Sequence, residues 1–305
     1  MPPSVIDQPA YSVVQRFSAM GTDCVVVVEA EDRALREHAV DVAVRETHRF
    51  DRRYSHYDPS SLVSLINRRA GNDQWTELDE EADRIFGLAM QVHEASDHMF
   101  DPSVAPLTQL WDHRTQRLPS GDEIKRVRQR VGFGRVIYQP GRVMLPTAMA
   151  LEFGGLVKEY AVDAIAVRLG KLGVRHGLID LGGDMRAIGA RLSGQPWTVG
   201  VRDPNQPDQA IASIDLKATA LATSGTYFRS FSVGGRRYSH LINPQTGSPV
   251  VDNLASVSVC APNCTVAGVA ATLALMKPAA QALQELQGLE WAWVAVDSEG
   301  AVHRA

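Results

Sequence analysis

Apolar residues along this chain alternate between two spacings, and the change of spacing outlines the fold. The run Val25-Val26-Val27-Val28 predicts a strand over 22–30. From 33 to 53 the apolar positions Leu35, Ala39, Val42, Ala43 and Phe50 recur on one helical face. Leu62, Leu65 and Ile66 predict a short helix opened by a serine cap, and a longer helix follows over 80–96. The spacing then predicts a short helix over 120–131, a hairpin around 136–145 and an amphipathic helix over 158–172 carrying Ala161, Val162, Ile165, Ala166 and Leu169. From Gly177 onward the period becomes two, with strands expected at 177–181, 197–201, 210–216, 220–223, 237–242 and 255–260. Helices over 266–276 and 279–287 precede a last strand at 291–297. This is an α+β pattern: a mostly antiparallel sheet core, flanking helices, and a helical subdomain inserted near residues 60–130. Residues 1–17 read as an N-terminal extension and 18–305 as a single domain.

Composition narrows the classes. With 305 residues, 45% hydrophobic and 22% charged, the chain is long enough for a substantial core. A net charge of -4 argues against a general nucleic-acid binder. Cys24, Cys260 and Cys264 are too few for a disulfide framework, and a Cys-x3-Cys pair without a nearby histidine is a poor zinc site. Cys260 is expected to face the core from its strand. No run of 18 apolar residues occurs, and the first ten residues lack the basic and apolar regions of a leader. A cytoplasmic location without a membrane span is the expectation.

Candidate chemistry gathers at turns. His240 is expected at the end of the strand 237–242, beside the turn Asn243-Pro244-Gln245-Thr246-Gly247. A histidine held there can accept a proton from a hydroxyl or bond a phosphate. Three glycine-bearing turns, Gly154-Gly155, Gly182-Gly183 and Ser224-Gly225, let backbone amides approach an anion, and Lys158 adds a cation next to the first. Singly, such pairs are as well explained as tight turns. None has Rossmann or P-loop spacing. Tyr57 and Phe100 are either stacking faces for a flat ring or residues packed on their own helices.

Together these segments resemble the ApbE family of FAD:protein FMN transferases. The resemblance is carried by Met20-Gly21-Thr22, by 57–67 beginning Tyr57-Asp58-Pro59, by Phe100-Asp101-Pro102-Ser103 and by 154–163 with Lys158-Glu159-Tyr160. Asp180-Leu181-Gly182-Gly183-Asp184, Ala222-Thr223-Ser224-Gly225 and Tyr238-Ser239-His240 through Gly247 complete it in family order. It implies magnesium-dependent transfer of FMN from FAD to a threonine or serine hydroxyl of a target flavoprotein, with release of AMP. It further implies that Met20, Tyr57, Met99, Phe100, Asp101, Glu152, Lys158, His240 and Ile242 line the FAD site. His240 is the candidate for proton transfer, and Gly155, through its carbonyl, and Thr272 are the candidate metal ligands. A homodimer is carried as an expectation.

The chain departs from the family pattern at the metal and phosphate end. In Ala267-Gly268-Val269-Ala270-Ala271-Thr272 a glycine stands where the family has a metal-binding aspartate. Glu159 occupies a position that is usually glycine, while Glu152 and Thr226 replace usual aspartates. A hard cation generally needs a carboxylate, so Gly268 is expected to weaken metal binding. The alternative is therefore an FAD-binding carrier, sensor or partner protein with little or no transferase activity. A nearby carboxylate filling the role of residue 268 would favour the enzyme.

Overall fold

The computed structural model describes residues 10–111, 117–206, 208–226, 230–233, 236–251 and 253–305. The chain divides into two compact units, each assembled from three stretches. The first comprises Met1–Asp51, Lys158–Thr223 and Ser258–Gly268, and the second Arg52–Val157, Ser224–Val257 and Val269–Ala305.

The framework of the first unit is an antiparallel sheet. Ser12–Ala19, Thr22–Glu29, His176–Leu181, Asp184–Ile188 and Ala220–Gly225 lie side by side in that order. Alternation decides which face is covered: Cys24, Val26 and Val28 are buried, and so are Ile179 and Leu181 on the neighbouring strand. The helix Val157–Lys171 buries Ala161, Val162, Ile165 and Leu169, the stripe its spacing predicts. Arg186 on the sheet bonds Asp163 on this helix at 2.6 Å. Asp163 in turn accepts from the backbone N–H groups of Cys264 and Thr265, at 2.9 and 2.8 Å, where the helix Cys264–Leu275 begins. One carboxylate thus joins a strand and two helices.

Two of these strands are absent from the pattern-based expectation. Ser12–Ala19, which takes up part of the segment read as an N-terminal extension, lies at the end of the strand order, and its polar positions Gln15 and Arg16 are exposed. Asp184–Ile188 carries two charged residues that hide its period. Between it and His176–Leu181, Gly182 and Gly183 form a two-residue hairpin turn with φ of +70° and +94°. A Cβ at Gly182 would lie 2.2 Å from Thr22 Oγ1, so glycine is required there for both conformation and space.

The helices of the second unit include Leu62–Arg68, Glu80–Ala95, Ala105–Leu110, Gly121–Arg128 and Ala279–Gln287. The first four fall in the region where an inserted helical part is expected. Ser61 caps the first of them, accepting from Ser64 N. A small antiparallel element accompanies them, Thr76–Glu77 with the hairpin Ile137–Gln139/Arg142–Met144. The expected strand 237–242 is interrupted. Its first part ends at Ser239, and a separate two-residue strand, Ile242–Asn243, pairs with Ser248–Pro249. His240 sits at the bend between them.

The three cysteines are free. Cys24 and Cys264 are buried, but Cys260, expected to face the core, is the least buried residue of the strand Ser256–Ala261. Among the described residues no helix is long and apolar enough to cross a membrane.

Candidate functional site

In the second unit, hydrogen bonds draw three predicted segments together. Asn67 donates its side-chain N–H to Leu151 O at 3.0 Å and accepts from Leu151 N at 2.7 Å, fixing the strand-like stretch that leads to Glu152. Glu152 donates its own N–H to Pro102 O at 2.8 Å. Its carboxylate accepts from the Thr108 hydroxyl at 2.9 Å and lies 3.7 Å from His56 Nε2. The His56 ring in turn lies against Tyr57, with centroids 3.8 Å apart, and Tyr57 is 74% exposed. A Cβ on Gly155 would meet the Phe100 ring at 3.6 Å. Tyr57, Phe100, Asp101, Glu152 and Gly155 are therefore parts of one local assembly.

The two stacking candidates differ in kind. Tyr57 presents an open face, whereas Phe100 is buried and its backbone is held on both sides. Phe100 N donates to Ser96 Oγ at 3.0 Å, and Phe100 O lies 2.7 Å from His93 Nδ1. His98 Nδ1 continues the chain at 3.0 Å from His93 Nε2. Met99, between these anchors, is half-buried. Asp101 is a capping residue: its carboxylate accepts from Ser103 N, Ser103 Oγ and Phe133 N at 2.8, 2.5 and 3.1 Å. That set explains why an aspartate precedes Pro102.

Ile242 is core, packed with Leu107 and Trp111. The Trp111 indole donates to Gly247 O at 2.8 Å and its ring lies against Tyr238, which steadies both sides of the turn after His240. His240 is half-buried. Ser224 and Gly225, expected to form a turn, lie within the strand Ala220–Gly225, and Ser224 Oγ there is 2.8 Å from Oγ1 of Thr272, a predicted metal ligand. Thr226, expected to stand in place of an aspartate, is buried and donates its N–H to Ala255 O.

In the first unit, Met20 has φ of +54° and donates its N–H to Asp51 Oδ2 at 2.8 Å. Lys158 Nζ lies 2.7 Å from Asp184 Oδ2, and Asp184 Oδ1 accepts from Thr223 N at 3.2 Å. Burial alone would depress the lysine, but Asp184 and Glu159 outweigh it and hold the ammonium charged. Asp180, whose Oδ1 accepts from Gly183 N at 2.7 Å, is raised to about 6, chiefly by burial.

Glu159 completes this group and was missed as a site residue by sequence reasoning, although its departure from the family pattern was visible. It is 5% exposed, and its Oε2 is buried with no hydrogen-bond partner. Burial first and the Asp184 charge second push its carboxyl upward, with Lys158 opposing. Gly268 lies directly against it: a Cβ there would fall 2.4 Å from Glu159 Cγ and 3.1 Å from Oε1. The two departures from the family pattern are thus in contact. An orphaned carboxylate oxygen beside a glycine gap is the donor chemistry a hard cation requires.

Known proteins share this sequence pattern and fold. The family model described as the ApbE family matches residues 20–293. The FAD:protein FMN transferase of Klebsiella pneumoniae is 28% identical over 309 residues, covering 97% of this chain and 85% of that protein. The FAD:protein FMN transferase of Haemophilus influenzae is 26% identical over 219 residues, covering 68% of this chain; the chain spans 63% of that relative's length. The crystal structure of the ApbE protein of Thermotoga maritima superposes with a TM-score of 0.88 at 29% identity, covering 96% of this chain and 97% of that one.

Proposed function

The chain belongs to the ApbE family, and from that premise we propose that it is an FAD:protein FMN transferase acting on a threonine or serine of a target flavoprotein. The hydroxyl oxygen forms a bond to the FMN-side phosphorus of FAD. The bond from that phosphorus to the bridging oxygen breaks, and AMP leaves with the bridging oxygen and the electron pair. The hydroxyl proton passes to a base, a role we assign to His240. FMN remains on the acceptor as a phosphoester.

Within the second unit the flavin-binding reading rests on Tyr57, Met99, Phe100, Asp101, Glu152 and His240, whereas Ile242, expected to line the site, is packed in the core. Tyr57 is the open aromatic face for a ring, and Phe100 and Asp101 keep the neighbouring loop in place. Within the first unit it rests on Met20 and Lys158. The fixed positive charge of Lys158 suits a pyrophosphate, and its pairing with Asp184 keeps it protonated.

Magnesium is part of the proposal. When bound it would neutralise charge that develops on phosphoryl and leaving-group oxygens. Gly155 and Thr272 remain the assigned oxygen donors from the family pattern. The observation that carries the transferase reading over a binding-only one is the buried, unpartnered carboxylate beside Gly268. Without it, the glycine at 268 would leave the region short of an anionic oxygen. The test is incubation with FAD, Mg²⁺ and a threonine-bearing flavoprotein acceptor, followed by in-gel flavin fluorescence and AMP detection. Appearance of both products supports the reading; tight FAD binding with neither product overturns it.

A further inference from the structure

The contact between Glu159 and Gly268 joins two exchanges that look unrelated in the sequence. A glutamate has entered the helix Val157–Lys171 where a small residue would leave space. A glycine has entered the helix Cys264–Leu275 where a side chain would fill the same space. Glu159 as placed leaves no room for a side chain at 268. A Cβ at 268 would come 2.4 Å from Glu159 Cγ, closer than packed atoms approach.

The reach of the side chains matches as well. By ordinary bond lengths an aspartate at 268 would carry its oxygens about 2.4 Å beyond its Cβ. Glu159 Oε1 already lies 3.1 Å from that Cβ position. The other oxygen, Oε2, is buried and unpartnered among the described residues, although an unsatisfied buried carboxylate oxygen is costly. Lys158 does not relieve it, because its ammonium lies on Asp184 at 2.7 Å. Two carboxylates, Asp184 and Glu159, therefore lie beside one lysine.

We propose that Glu159 is the anionic oxygen ligand for a divalent cation in this protein, delivered from the helix Val157–Lys171 through the gap left by Gly268. The carboxylate would then come from Val157–Lys171 and occupy the space that a side chain at 268 would otherwise fill. Asp184 and Lys158 hold the surrounding charge in place: Lys158 engages Asp184 and leaves Glu159 for the cation. The inference rests on the transferase reading only in taking Mg²⁺ as the physiological ion.

The test titrates Mn²⁺, as a spectroscopic stand-in for Mg²⁺, into the full chain with saturating FAD and follows free ion by electron paramagnetic resonance. Four proteins are compared: the natural chain, Glu159→Gln, Gly268→Asp and the exchange Glu159→Gly/Gly268→Asp, with circular dichroism confirming their fold. Glu159→Gln is expected to weaken Mn²⁺ binding about 10- to 100-fold, a loss usual even for groups that merely support a ligand. The double exchange is expected to recover affinity to within a few-fold of the natural chain. Retention of natural affinity by folded Glu159→Gln overturns the proposal, and so does a natural chain that takes up no Mn²⁺. Should Glu159→Gln fail to fold, the double exchange decides alone: a folded double variant that binds weakly overturns the assignment. Flavin transfer is scored separately. Glu159-dependent Mn²⁺ binding without transfer would sink the enzyme reading and leave this inference standing, and transfer with Glu159-independent binding would do the reverse.

Discussion

Asp163 Oδ2 accepts hydrogen bonds from both the backbone N–H and the hydroxyl of Thr265, at 2.8 and 2.6 Å. The residue acts as a helix cap supplied from another helix, since Asp163 belongs to Val157–Lys171 and Thr265 to the first turn of Cys264–Leu275. Its negative charge also suits the positive end of that helix.

Replacing Asp163 with alanine should therefore cost about 1–3 kcal/mol of stability, through the lost cap and an Arg186 without its partner. Urea denaturation of the natural chain and Asp163→Ala would show it as a lower midpoint at unchanged slope. A shift below a few tenths of a kcal/mol would mean that water serves those N–H groups equally well.

Gly268→Ala adds a single methyl against Glu159 and is expected to destabilise by about 1–3 kcal/mol, the usual cost of overpacking. In a Glu159→Gly background the same methyl should cost little. A double-mutant cycle in thermal or urea unfolding measures the coupling directly. Additive effects would show that the two side-chain positions do not share space.

His240→Ala should slow flavin transfer about 100- to 10,000-fold if the ring takes the hydroxyl proton. FAD affinity, followed by fluorescence quenching, should change far less. Equal loss of both quantities would assign His240 to binding and remove it from proton transfer.

Glu123 offers a pH test away from the site. Arg117 first, and then the Ser120 N–H and hydroxyl, hold its carboxyl at about 2 against an ordinary 4.5. A carboxyl lowered on folding contributes stability that is fully present above its unfolded value and is lost as pH falls through the folded one. The stability gap between the natural chain and Glu123→Gln should thus be constant from pH 7 to about 5 and should close between about 4.5 and 2. Urea midpoints at stepped pH check it; a gap that stays constant to pH 3 contradicts the assignment.

Periodicity was enough for the elements whose chemistry is repetitive. The helix Arg33–Tyr54 and the strand Thr22–Glu29 follow directly from spaced apolar residues and a valine run. Asp184–Ile188 escaped because its charged residues are satisfied by partners far away in the chain: Lys158 for Asp184 and Asp163 for Arg186. Much the same limit applies to the candidate site. Glu159 and Gly268 were each conspicuous as departures, but their meaning lies in a contact between two helices that no local pattern encodes. Asn67, which fixes the approach to Glu152 through Leu151, is silent in sequence for that reason too.

The division of the chain into two units has a consequence for how the protein is made. The first unit draws its three stretches from Met1–Asp51, Lys158–Thr223 and Ser258–Gly268. No truncation from either end can remove one unit and leave the other whole. During synthesis, the first unit cannot be completed until Gly268 has emerged from the ribosome, although the five strands from Ser12–Ala19 to Ala220–Gly225 are all present before that. The Glu159–Gly268 contact is therefore among the last that synthesis allows, and a nascent chain stalled before that helix should remain open to proteolysis.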